Sequence, residues 1–315
     1  MPLALAGAYS VKAVLIFNPA AGGRAERREL LERVRGALAS VGYEGEIVAT
    51  TGPGSAGAQV AGAVEVGARV VFACGGDGTV HEVMQGMVGT DAALGVIPFG
   101  SANALARDLG LPMDPVAAAR MQGGFVPRRV PVGRVEIGDA VRYFAVMAGA
   151  GPDGALVYKM IAGDKRRLGR FAYYVRAGWM FVRRRFREFD VEIASGGRTE
   201  TVRAVAAMVV RVADMGGLFR GLGDSVQRSL VGRMEMRVVI VRAPALVSLP
   251  LWFCTGWVGM LGWNPLVRVV SVDGFRCVPV GEARLDVQAD GEWIGQAPVR
   301  VSLVEDGVWL LMPAQ

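Results

Sequence analysis

The stretch Ala68–Met87, "ARVVFACGGDGTVHEVMQGM", decides the fold. Val70–Phe72 is a short β-branched and aromatic run, while Val80, Val83, Met84 and Met87 recur at helical spacing. Gly75-Gly76-Asp77-Gly78-Thr79 lies between them. The reading is a buried strand, a glycine turn, and a helix over Thr79–Met87 that opens on a Thr79/Glu82 capping box. Glycines let backbone N–H groups approach a ligand without Cβ interference, and the helix start adds a positive end. Asp77 is the informative residue. A carboxylate here would repel a bare phosphate, by a few kcal/mol at protein-like dielectric. Its presence implies Mg²⁺ between the two, or a proton to be handled. An Asp-Gly turn with no ligand is the plain structural alternative.

The same texture extends outward. Lys12–Pro19 and Glu44–Thr51 read as strands, Arg24–Gly42 as a helix burying Leu30, Leu31, Val34 and Leu38, and Ser55–Val66 as an Ala-rich helix. Ala93–Gly100 is a further strand, followed by a helix over Ser101–Leu109 with Ser101 as N-cap. Such βαβα alternation argues for a parallel sheet covered on both faces. Two strand–Gly–hydroxyl–helix turns would then gather at one sheet edge, where α/β sheets bind ligands. From about Val130 the pattern changes to alternating strands: Arg134–Ala148, Phe189–Ala213 and Met234–Ala243, with a helical insert over about Ala155–Arg187. "ARLDVQADGEW" (Ala283–Trp293) puts Leu285, Val287 and Ala289 on one face and Asp286, Gln288 and Asp290 on the other. This half reads as antiparallel β.

Composition sets the limits. The 315 residues suffice for two domains, and 52% hydrophobic with 20% charged residues is a globular balance. A net charge of +6 favours anionic partners, but no basic block with interleaved aromatics points to nucleic acid. The arginine runs at 166–167 and 183–185 read as solvated helix faces. Cys74, Cys254 and Cys277 lie outside any CxxC pairing and are expected as free thiols of a reducing compartment. The single histidine, His81, excludes a His-rich metal site. The N-terminus carries no signal-peptide pattern. Ala245–Trp263 is the one candidate for membrane contact; its proline and three glycines favour a buried or interfacial segment over a spanning helix. No GxxxxGK[ST] occurs. "GAGPDG" (Gly149–Gly154) matches GxGxxG, but Pro152 interrupts it outside the βαβ region.

With these residues in place, the chain resembles the diacylglycerol kinase catalytic family, which includes bacterial lipid kinases, sphingosine kinases and ceramide kinases. The resemblance rests on Asn18-Pro19-Ala20-Ala21-Gly22, Thr50-Thr51, "GGDGTVHEV", "PFGSANALAR", "KRRLGRFAY" (Lys165–Tyr173) and "ADGEW" (Ala289–Trp293), in family order. GGDG alone is shared with NAD kinases. The resemblance implies an N-terminal phosphofructokinase/NAD kinase-like α/β domain over 10–128, joined by a returning segment at 305–315, and an antiparallel β-sandwich over 129–304. It implies that ATP, with its Mg²⁺, contacts Asn18, Pro19, Ala20, Ala21, Gly22, Thr50, Gly75, Gly76, Asp77, Gly78, Thr79, Val80, His81 and Ser101. Arg166 resembles a phosphate-contacting arginine, with a plain surface residue as the alternative.

Asp290-Gly291-Glu292 matches the catalytic acidic tripeptide, with Glu292 favoured as base, Asp290 as its partner, and Asp77 as the third catalytic acid. Asp153 matches a position lining the lipid headgroup site, although Pro152 replaces the usual aromatic. Val231 stands where soluble bacterial members carry an acid that holds a structural Mg²⁺, so that accessory metal is expected to be absent, with Asp224 the nearest other carboxylate. The implied activity is transfer of the ATP γ-phosphate to diacylglycerol, a sphingoid base or ceramide. The implied location is cytoplasmic, peripheral at the inner membrane surface, with no nucleic-acid partner and the oligomeric state open, a homodimer included. An NAD kinase-like enzyme with a soluble substrate and a non-catalytic lipid- or nucleotide-binding relative are the alternatives. The reading requires Asp77 and the 290–292 carboxylates to serve one nucleotide cleft.

Overall fold

Short β-branched runs alternate with amphipathic segments through the first 121 residues, and each becomes the element its pattern calls for. In this computed structural model the described residues are 10–20, 24–152, 187–212, 232–242, 244, 247, 248, 251, 264–282 and 284–314. Strands β1 (Val11–Phe17), β2 (Tyr43–Ala49), β3 (Val70–Gly75) and β4 (Ala93–Pro98) alternate with helices α1 (Arg24–Ala39), α2 (Ala56–Glu65), α3 (Asp77–Met87), α4 (Ala104–Asp108) and α5 (Pro115–Met121). β2, β1, β3 and β4 lie in that order, every pair parallel. β3 and β4 are buried at every residue, which requires cover on both faces. Helix α1 buries Leu31, Val34 and Leu38, each worth about 1.5–3 kcal/mol; Leu30, expected on the same stripe, stays half-buried.

The rest of the chain is nearly all strand: β5 (Phe125–Ile137), β6 (Ala140–Phe144), β7 (Met147–Ala150), β8 (Phe189–Ser195), β9 (Arg198–Val210), β10 (Met236–Arg242), β11 (Val267–Val272), β12 (Gly274–Pro279), β13 (Asp286–Ala289), β14 (Glu292–Gln296) and β15 (Val299–Pro313). The chain divides into two compact units, residues 1–132 with 305–315, and residues 133–304. In the first unit β15 adds to the parallel sheet beside β4, through Trp309↔Ala93 and Leu310↔Leu94. In the second, β7 pairs antiparallel with β9 and β13, β9 with β8 and β10, and β13 with β14. Its core is one cluster that includes Phe144, Phe189, Ile193, Val238 and Phe275. The β13 alternation separates two faces, but neither is solvated: Asp286, Gln288 and Asp290 are buried, as are Val287 and Ala289.

Cys74 and Cys277 are buried and carry no disulfide, and burial pushes the Cys74 thiol far above its ordinary range. The helix expected over 155–187, Cys254 and most of 245–263 lie outside the described residues. Among the described residues, no helix is long and apolar enough to cross a membrane.

Candidate active site

In the first unit, four turns follow the carboxyl ends of β1, β2, β3 and β4. Because these strands are parallel neighbours, their turns share one sheet edge. After β1, Asn18 Oδ1 accepts from the Ala20 N–H at 2.8 Å, folding the Asn-Pro turn on itself. After β2, the buried Thr50 donates its N–H to the Phe17 carbonyl at 2.9 Å, tying the second turn to the first.

The turns after β3 and β4 are joined more closely. The Phe99 N–H donates to the Gly75 carbonyl at 2.9 Å. A Cβ on Gly100 would stand 2.6 Å from the Gly76 Cα, and one on Gly76 would stand 3.2 Å from the Gly100 Cα. Backbone meets backbone here, so Gly100 has no room for a side chain unless the backbone shifts, while one at Gly76 would need its neighbour to give by a few tenths of an ångström. Asp77 closes the joint: its Oδ1 accepts the Ala104 N–H, at the start of α4, at 2.6 Å. The acid in the flexible turn therefore has a structural task that its local sequence does not display. It also sits in the first turn of α3, where a negative charge complements the helix dipole.

Two expected caps are corrected. Helix α3 begins at Asp77 with the extended Gly76 as N-cap, two residues before Thr79, since the Gly76 carbonyl already accepts from the Thr79 and Val80 N–H groups at 3.0 and 3.1 Å. Ser101 is exposed and does not cap the next helix. Asn103 takes that place in the left-handed region (φ 49°), its side chain accepting from the Gly100 N–H at 2.9 Å and donating to the Gly100 carbonyl at 2.8 Å. Asn tolerates this conformation better than other non-glycine residues. That tolerance, in an Asn directly before a helical run, was the clue to a residue that the motif reading passed over.

The structure thus brings Asn18, Pro19, Ala20, Thr50, Gly75, Gly76, Asp77, Gly78, Thr79 and Ser101 to one edge. Val80 and His81 are buried in α3, so the Val80 side chain belongs to the core. Ala21, Gly22, Asp153, Arg166, Val231 and Asp224 lie outside the described residues. Among the described residues, no three His, Cys, Asp or Glu side chains gather as a metal site. The glycine turn beside Asp77, with no side chain at Gly76 or Gly78, and the adjacent carboxylate fit a phosphate group that arrives with its own Mg²⁺.

In the second unit, Asp290 and Gly291 form the two-residue turn between β13 and β14. Both have positive φ (48° and 82°), the type I′ geometry that Asp-Gly favours. The Asp290 carboxylate is buried and accepts three backbone N–H groups, from Ala145, Val146 and Met147, at 2.8–2.9 Å. Its own N–H donates to the Met147 carbonyl at 2.8 Å. Asp290 therefore ties the hairpin to the segment entering β7. Glu292, at the start of β14, is half-buried and fixed by backbone pairing with Ala289. Asp290→Ala would strand three amides, two of them in buried hydrogen bonds, and we expect a loss of about 3 kcal/mol or more, seen as a lower urea midpoint. An unchanged midpoint would contradict the clamp.

Residues 12–135 match the diacylglycerol kinase catalytic domain family. The chain is 32% identical over 218 residues to a diacylglycerol kinase of Bacillus subtilis, spanning 68% of this chain and 69% of that one. It is 32% identical over 167 residues to a diacylglycerol kinase of Staphylococcus saprophyticus, where the match spans about half of each chain, 52% and 53%. A solved diacylglycerol kinase structure from Bacillus anthracis shares the fold, with a TM-score of 0.68 over 96% of each chain at 18% identity. The glycine joint and its acid lie within the matched residues, and with the extent of the Bacillus subtilis match they show that this chain belongs to the diacylglycerol kinase catalytic domain family.

Proposed function

We propose that this chain is a lipid kinase that moves the γ-phosphate of ATP to the hydroxyl of diacylglycerol or a related amphiphile, such as a sphingoid base or ceramide, at the inner membrane surface. The observation that carries the reading is the glycine joint at the carboxyl edge of the parallel sheet, with Asp77 built into it. In the proposed reaction the triphosphate lies against the glycine turn Gly75–Gly78. Mg²⁺, when bound with the nucleotide, supplies neutralisation of the phosphate charge. Glu292 takes the proton of the acceptor hydroxyl as its oxygen bonds to the γ-phosphorus. The bond from that phosphorus to the β–γ bridging oxygen breaks, and ADP carries the electron pair away. Asp290 holds the hairpin and takes no proton.

The test is transfer of labelled phosphate from Mg-ATP into mixed micelles of diacylglycerol, sphingosine or ceramide, with NAD as a soluble acceptor in a parallel arm. Labelled phosphatidate, or a phosphorylated sphingolipid, is the expected product. Label appearing only in NADP, or in nothing, would overturn the proposal.

A further inference from the structure

One cation near the glycine joint has no task in the account so far. Arg27 stands in the first turn of α1, half-buried, with its guanidinium 5.7 Å from the centroid of the Phe99 ring. The ion pair of that helix is made elsewhere, by Arg35 with Glu32 at 2.8 Å. Among the described residues, no carboxylate pairs with Arg27. A cation in a first turn faces the positive end of the helix dipole, so helix stability does not account for it.

Its platform is well fixed. Phe99 donates its N–H to the Gly75 carbonyl at 2.9 Å, and the next residue is Gly100, which abuts Gly76. The ring that carries the guanidinium thus belongs to the backbone segment forming the joint. Arg27 also lines a groove of about 700 Å³ with Phe17, Pro19, Ile47, Glu32 and Glu46, Pro19 being in the turn after β1.

We propose that Arg27 is a phosphate-contacting residue of the nucleotide site and that Phe99 is its positioning residue; this rests on the reading that the joint takes ATP. A guanidinium lying on an aromatic face keeps its edge N–H groups free, and their fork geometry suits phosphate oxygens. The cation–π contact favours this position of the fork before an anion arrives, so less side-chain freedom is lost on binding.

The test is calorimetric titration of the full chain and its variants with Mg-ATP, Mg-ADP and adenosine. Arg27→Ala and Arg27→Gln are each expected to weaken ATP and ADP about 10- to 100-fold while leaving adenosine unchanged. Phe99→Leu should weaken the same two nucleotides severalfold and Phe99→Tyr should not, because tyrosine keeps the aromatic face. In turnover, the KM for ATP should rise more than kcat falls. ATP affinity unchanged in both Arg27 variants would overturn the inference, as would an equal loss of adenosine, which would mark Arg27 as a groove-shaping residue. If the parent protein phosphorylates lipid and Arg27→Ala does so at the same KM for ATP, only the Arg27 assignment falls. If the parent binds no nucleotide, the kinase reading falls and takes this inference with it.

Discussion

Glu292→Gln is expected to lower lipid phosphorylation by roughly 10²–10⁴-fold, the usual contribution of a positioned general base. The substitution keeps the size and hydrogen-bonding shape of the side chain but removes its capacity to hold a proton. Backbone pairing with Ala289 and the type I′ turn are independent of the carboxylate, so thermal unfolding should stay close to that of the parent. The measurement is turnover with saturating lipid and Mg-ATP, paired with a thermal melt. A parent-like rate would remove Glu292 from the chemistry. Nucleotide affinity should hardly change, since the proposed role concerns the acceptor hydroxyl alone.

Substitution of Asp77 is expected to cost about 100-fold or more in turnover, on the scale of losing one preorganised electrostatic contact at a phosphate. Two variants divide its tasks. Asp77→Asn retains an oxygen able to accept the Ala104 N–H, so the joint between the turns survives while the charge is lost. Asp77→Ala loses both. Turnover should therefore fall similarly in the two, with a drop in melting temperature confined to the alanine variant. An asparagine variant that turns over like the parent would assign Asp77 a purely architectural part, and the magnesium argument would go with it.

Much of this site was legible before any coordinates. The strand–turn–helix reading of residues 68–87, the parallel sheet and the gathering of turns at one edge all follow from local patterns of period and turn chemistry. The parts that were not legible depend on partners far away in the chain. Asp77 meets Ala104, 27 residues on, and Asp290 meets amides 143–145 residues back. Nothing in the neighbourhood of either acid encodes such a partner. The helix starts failed for a related reason. Thr79 and Ser101 are good caps in isolation, but the Gly76–Gly100 contact fixes the backbone of both turns, and the helices begin at Asp77 and Ala104 instead. Likewise, the alternation along β13 separated its two faces without revealing that both are buried.

The pairing of β15 with β4 has a consequence for biosynthesis. The parallel sheet of the first unit draws its β4 neighbour from residues 305–313, although β1 to β4 are complete by residue 98. While the ribosome works through the intervening two hundred or so residues, the flank of β4 that β15 will occupy carries a row of unsatisfied amides and carbonyls. A chaperone that shields that flank during translation would raise the yield of native protein, and a ribosome stalled short of Glu305 would leave a nascent chain prone to stick to its neighbours.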